Sequence, residues 1–199
     1  MKIDQTLLSE LICTRLSHDI IGNVGAVANA VELLEENDVE FLEDIRSILS
    51  LSSSVLTSRL KFFRNAFGLS NVNFGDISAV NDVIVNYLKT IGNANFPIEF
   101  AMRIQDQRFV KAAMLCTMIW ADLLIRGGRI IIAQEEGNKL TAKITEQSKV
   151  ADEKFKHVKE ILSGSFENLS AQNAPVFYLQ NIFNKISLAD DYTLIVEVP

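Results

Sequence analysis

With 199 residues, of which 48% are hydrophobic, the chain holds apolar material for one large domain or two small ones, which excludes a disordered or fibrous protein. Its 19 Lys+Arg against 25 Asp+Glu leave a net charge of -6 and a pI near 5.0, so nucleic-acid phosphates find no global attraction and any basic site is local. The two cysteines, Cys13 and Cys116, lie far apart with no CxxC or Cys/His cluster, which argues against a disulfide framework or a zinc site and fits a reducing cytoplasm.

Asp4 and Glu10 interrupt the apolar N-terminal stretch, so it lacks the uninterrupted hydrophobic region of a signal peptide. The most apolar stretch, Ala112 to Ile125, is broken by Thr117 and Asp122 and falls short of the roughly 20 residues a bilayer span needs. A cytoplasmic protein without membrane or nucleic-acid partners is expected.

No proline precedes Pro97, and the first third of the chain has helical periodicity. Leu8, Ile12, Leu16, Ile20, Val24, Val27, Val31 and Leu34 recur every three or four residues as one apolar stripe. A second helix repeats the pattern with Leu42, Ile45, Leu49, Leu56, Phe63 and Phe67; Asn37 with Glu40 forms a capping box and Gly68 a stop. The connection through Glu36, Asn37 and Asp38 is short, which predicts an antiparallel hairpin. Such a hairpin buries both stripes only with help, either from a second copy in a homodimeric four-helix bundle or from the rest of its own chain. Periodicity does not choose between them.

After Gly68 the elements alternate: a helix near Ala79 to Ile91, a strand near Ile98 to Ile104, and an apolar helix near Phe109 to Ile125 that Gly127 and Gly128 end. Strands at Arg129 to Gln134 and Leu140 to Thr145 flank the turn pair Gly137-Asn138. Helices near Asp152 to Leu162 and Pro175 to Ile186 follow, with Pro175 in a first turn, and then a strand from Tyr192 to Val198. The prediction is an α+β chain: a helical hairpin over 1–68, then an α/β sandwich over 69–199 with helices on one face of a mainly antiparallel sheet. Phe109, Met114, Met118 and Trp120 are core by position. No paired-carboxylate or nucleophilic cysteine site stands out.

Two histidines occur, His18 and His157. His157 lies among Lys154, Lys156 and Lys159 in a charged segment and reads as a surface residue. His18 sits two residues from both Leu16 and Ile20, about 200° around the helix from each, so it points away from the stripe to solvent. Beside it come Gly22, Gly25 and Asn29, small or polar, with Ile21 apolar on the flank. Each mid-helix glycine costs about 1 kcal/mol relative to alanine unless another backbone approaches closely, and chance occurrence is the plain alternative. Asp19 is placed to hold the neutral imidazole in the tautomer that presents a free ring nitrogen. Folding the hairpin brings the region of Thr57 opposite His18, with Arg59, Lys61 and Arg64 on following turns and Arg15 one turn away. That predicts a local positive cluster suited to a phosphoryl group or an acidic partner, against the alternative of a solvated basic face.

LSHDIIGNVGAVANAVELLEE resembles the phosphoacceptor helix of dimeric histidine phosphotransferases of the ChpT type and, more distantly, the H box of sensor histidine kinases. SRLKFFRNAFG is similar to the arginine- and phenylalanine-rich close of that family's hairpin, and APVFYLQNIF to its last helix, so the likeness runs over nearly the whole chain. The resemblance implies a homodimeric phosphotransfer bundle followed by a degenerate version of the kinase ATP-binding domain. In it His18 takes a phosphoryl group from the receiver domain of a hybrid kinase such as CckA and passes it to response regulators such as CtrA and CpdR. Asp19 would orient the ring. Arg15, Arg59, Lys61 and Arg64 would steer or clamp, and Ile20, Ile21, Gly22, Asn23 and Val24 would meet the partner.

An ATP site needs an Asn and acidic residues for Mg²⁺, an Asp-x-Gly-x-Gly loop and a glycine-rich lid. The corresponding stretch, AAMLCTMIWADLLIRGG, has no Asn, and its glycines begin a strand. The expectation is no ATP binding, no autophosphorylation and no cofactor or metal on this chain, with Mg²⁺ supplied by the partner receiver. At two positions the sequence departs from the family pattern: Asn23 stands where such helices usually bend at proline, and Gly22 where related kinases carry a Thr or Asn that orients water. Asn23 is turned by about 100° from that second position, which argues against a phosphatase role.

Overall fold

The computed structural model describes residues 3–35, 41–69, 76–147, 149–167, 169–190 and 192–199. Helix α1 spans Gln5–Glu35 and α2 spans Leu42–Phe67, packed together as a hairpin. Asp4 opens α1 by accepting from the backbone N–H groups of Thr6 and Leu7 at 3.0 and 3.1 Å, which satisfies two of the donors a helix start leaves unpaired. The capping box expected at Asn37 and Glu40, with its short connection, lies outside the described residues. Gly68 does end α2, but in extended backbone rather than the left-handed cap. A Cβ there would stand 2.1 Å from the Arg64 carbonyl oxygen, so close approach is what requires glycine.

The two apolar stripes are covered unevenly. Along α1, Leu8 is buried, Ile12, Leu16 and Ile20 are half-buried, and Val24, Val31 and Leu34 are exposed. Along α2, Ile45 and Phe63 are buried and Leu42 is exposed. Phe62, outside the predicted stripe, is fully buried because a second surface meets α2 there: its ring stacks on Tyr87 with centroids 3.7 Å apart. Packing on the rest of the chain therefore accounts for the base of the hairpin. Among the described residues nothing accounts for the tip.

Tyr87 belongs to α3 (Ile77–Lys89), which buries Val80, Ile84, Tyr87 and Leu88 at helical spacing. Asp76 caps it, accepting from Ser78 N–H at 3.2 Å. Strand β1 (Ile98–Arg103) follows, then a 3-10 turn over Gln107–Phe109 and helix α4 (Val110–Ala121). Strands β2 (Gly128–Glu135) and β3 (Lys139–Thr145) form the predicted hairpin, with Gly137 at φ 71 and Asn138 at φ 60 supplying its two left-handed turn positions. Helices α5 (Asp152–Leu162) and α6 (Ala174–Ile182) precede β4 (Lys185–Asp190) and β5 (Thr193–Glu197). The sheet order is β1-β2-β3-β5-β4, with β1 parallel to β2 and the remaining pairs antiparallel. Ile130, Ile132, Leu140, Ala142, Leu194 and Val196 alternate onto the buried face, as one covered sheet face requires.

Two sequence expectations need correction here. Helix α4 stops at Ala121, before the glycines. Gly127, at φ +67 and with Pro97 O 2.4 Å from where a Cβ would sit, shapes the entry to β2, and Gly128 N–H donates to Pro97 O at 3.1 Å beside β1. The helix predicted to reach Ile186 ends at Ile182, and β4 takes over; Ile186 and Leu188 pair with Val196 and Leu194 of β5. A short apolar run fits either period, and the free edge of β5 decides it.

All of α4 is buried, including Lys111, whose ammonium donates to Gly68 O at 2.6 Å. Trp120 donates from Nε1 to Ala142 O at 2.9 Å, and Phe109, Met114 and Met118 are buried in the core as expected. Leu8, Phe62, Phe63 and Ala66 of the hairpin join the same core, which is therefore continuous across residue 68. No described helix is long and apolar enough to cross a membrane.

Candidate functional site

His18 projects from the middle of α1 with its side chain 79% exposed, on the side away from Leu16 and Ile20. Its Nδ1 lies 3.3 Å from Asp19 Oδ1. With Asp19 accepting from Nδ1–H, the Nε2 lone pair is left to solvent, which is the arrangement a nucleophilic imidazole needs. His157, the second histidine, is half-buried on α5 and sits in no such arrangement.

Arg15, one turn before His18, is not the exposed cation that the sequence led us to expect. It is 7% exposed, and its guanidinium spans two carboxylates. Nε donates to Asp19 Oδ2 at 2.7 Å, while Nη1 and Nη2 donate to Asp122 Oδ2 and Oδ1 at 2.7 and 2.9 Å; Nη1 also reaches Gln172 O at 3.3 Å. Burial alone would weaken the charged form, but the hydrogen bond to Asp122 and the charges of Asp122 and Asp19 outweigh it and raise Arg15 above the ordinary arginine range. An arginine at i−4 from Asp19 with a carboxylate from another element in reach gains more from pairing than from water, which is why it turns inward.

Arg59 is corrected for a similar reason. Its guanidinium donates to the Asp19 carbonyl oxygen, and through Nε and Nη2 to Thr90 Oγ1 and O at 3.2 and 3.1 Å, so it brackets α1, α2 and the end of α3. The bond to Asp19 also fixes the hairpin register, placing the Thr57 to Arg59 turn opposite His18 as the folded loop requires. Of the expected positive cluster, Lys61 and Arg64 remain exposed. Ile20 is half-buried and packs on the core, and Asn23 is half-buried. Ile21 and Val24 are 64% and 45% exposed. Gly22 and Gly25 are exposed, and among the described residues a Cβ on either would meet nothing within 4 Å, so no close approach there explains them.

An open cleft of about 450 Å³ runs between the His18 face of α1 and the second part of the chain, with Asp122, Lys154, Ser170 and Gln172 on its far wall. Lys154 Nζ donates to Asp122 O at 3.2 Å. Sequence reasoning missed both Asp122 and Lys154 as site residues. A signal for Asp122 exists, since it is a lone carboxylate closing an otherwise apolar helix; Lys154 has none among its neighbouring lysines. Among the described residues no group of three or more His, Cys, Asp and Glu side chains gathers as a metal site.

No family model matches the chain. Its fold is that of a solved bacterial phosphotransferase: a structure described in those words superposes with a TM-score of 0.73 over 98% of this chain and 97% of that one, at 24% identity. In sequence the chain is similar to the protein phosphotransferase ChpT of Brucella abortus (strain 2308), with 31% identity over 133 residues. That stretch covers 64% of this chain and 61% of the relative's length.

Proposed function

We propose that this chain is a histidine phosphotransfer protein of a phosphorelay, with His18 as the residue that carries the phosphoryl group. The observation that carries the reading is a water-facing imidazole whose Nδ1 lies 3.3 Å from Asp19 Oδ1, in a chain similar to a named phosphotransferase. In the proposed step the Nε2 lone pair attacks the phosphorus of a receiver's aspartyl phosphate in line, and the bond from phosphorus to the aspartyl oxygen breaks as the carboxylate leaves. The imidazole becomes cationic, and Asp19 stabilises it at Nδ1–H. An aspartate of a second receiver then attacks the phosphorus, and the P–N bond breaks. The receivers supply Mg²⁺; this chain supplies nucleophile, orientation and a surface.

The donor fits a receiver domain of a hybrid histidine kinase, and the acceptors fit CtrA-like or CpdR-like response regulators. The exposed Ile21 and Val24, on the same helix as His18, support a partly apolar docking face, and Lys61 and Arg64 are exposed on α2. We further assign residues 1–68 to phosphotransfer and dimerisation and 69–199 to the degenerate kinase-like unit. The exposed apolar side chains at the hairpin tip, Val31, Leu33, Leu34, Ile48 and Leu51, support pairing of two copies there as a four-helix bundle.

Mixing the protein with a pre-phosphorylated receiver tests the reading. The expected result is acid-labile, base-stable phosphate on the chain, absent from a His18→Ala variant that stays folded because its side chain is exposed. Binding without label would instead show an adaptor, and label acquired from ATP alone would show a kinase.

A further inference from the structure

The carboxylate that orients His18 is itself held from the other side of the cleft. Asp19 uses one oxygen for the imidazole and the other for Arg15, and Arg15 is fixed end-on by both oxygens of Asp122, which sits just past the end of α4. An aspartate on an exposed helix face ordinarily rotates freely and offers a neighbouring imidazole only a transient acceptor. Here a planar guanidinium with four donated bonds removes that freedom, leaving Asp19 16% exposed and its Oδ1 aimed at Nδ1.

We propose that Asp122 is a positioning residue for His18: acting through Arg15 and Asp19, it determines which ring nitrogen of the imidazole is free. A neutral imidazole without a fixed acceptor divides between its two tautomers, and only the form with the proton on Nδ1 leaves Nε2 nucleophilic. The chain His18, Asp19, Arg15, Asp122 crosses from the helical hairpin into the second part of the molecule. The second part therefore acts on the chemistry of the first without touching the phosphoryl group. The consequence for transfer rests on the proposed role of His18; the consequence for the tautomer does not.

The experiment uses the full chain and compares Asp122→Asn, Asp19→Asn and the double variant with the parent. Nitrogen-15 NMR of His18 reads the tautomer directly, and transfer from a pre-phosphorylated receiver gives kcat and KM. Asp122→Asn is expected to shift the His18 ring-nitrogen resonances from the Nδ1–H form toward a mixture and to lower kcat roughly tenfold with KM unchanged. Because the two carboxylates act in series, the double variant should be no slower than Asp19→Asn alone. An unchanged spectrum in Asp122→Asn, or additive losses in the double variant, would overturn the proposal. If Asp122→Asn fails to fold, Arg15→Lys, which keeps the charge and loses the two-sided fork, is read by the same two criteria. Failure of the parent to accept phosphate would refute the proposed function while the NMR comparison still decides the positioning role.

Discussion

At the base of the hairpin Leu8, Phe62, Phe63 and Ala66 are buried against the second part of the chain, whereas at the tip Val31, Leu33, Leu34, Leu42, Ile48 and Leu51 stay between 36% and 66% exposed. The two ends are built from the same residue types at the same spacing. What differs is what lies across from them. The base meets α3, α4 and α6, while among the described residues the tip has only its own partner helix, with Ala30 and Ile45 buried there. His18 sits near the changeover, close enough to the base for Arg15 and Arg59 to anchor its backbone and carboxylate neighbour, and far enough from it to remain in water.

The contrast is testable at both ends. Phe62→Ala removes a fully buried ring stacked on Tyr87 and is expected to cost about 3–5 kcal/mol in urea unfolding. A loss near zero would show that the base is not anchored by this core. Leu51→Glu, at a side chain 66% exposed, should leave the monomer folded and raise the dimer dissociation constant roughly a hundredfold by light scattering. A variant that remains as dimeric as the parent would remove the tip from the proposed interface.

Smaller effects sharpen the boundary between the two regions. Arg59→Ala deletes the bracket to Asp19 O and Thr90 and should destabilise by about 2 kcal/mol in the same unfolding assay. Gly22→Ala adds a Cβ that meets nothing within 4 Å among the described residues, so it should stabilise α1 by about 1 kcal/mol; slower phosphoryl uptake in that more stable variant would place a partner's backbone against the glycine. Burial pushes the Cys116 thiol up to about 12, so at pH 8 a thiol reagent should label only exposed Cys13 in the native protein and both cysteines in denaturant.

The fold was largely legible because its signals are local. Apolar spacing gave α1, α2, α3 and α5, and Gly137-Asn138 marked the β2–β3 turn because few residues accept two positive φ values in succession. Strand β4 was not legible, since Ile186 and Leu188 suit a helix end as well as a strand until β5 offers an edge. In the site, the outward direction of His18 followed from its angle to the stripe, and Asp19 from adjacency. The fates of Arg15 and Arg59 did not follow, because an arginine's partner is chosen by elements more than thirty residues away in the chain.

The sequence alone determined the helical hairpin, the α+β unit after it and a histidine turned toward solvent, because these depend on period, turn chemistry and direction around a single helix. Only the tertiary structure decided that Arg15 turns inward to Asp122, that Arg59 ties α1 to α3, and that Val31, Leu34 and Ile48 toward the hairpin tip stay exposed. A charged side chain settles where its desolvation is repaid by fixed partners. That balance is set by groups brought together from distant positions, and no local pattern records it.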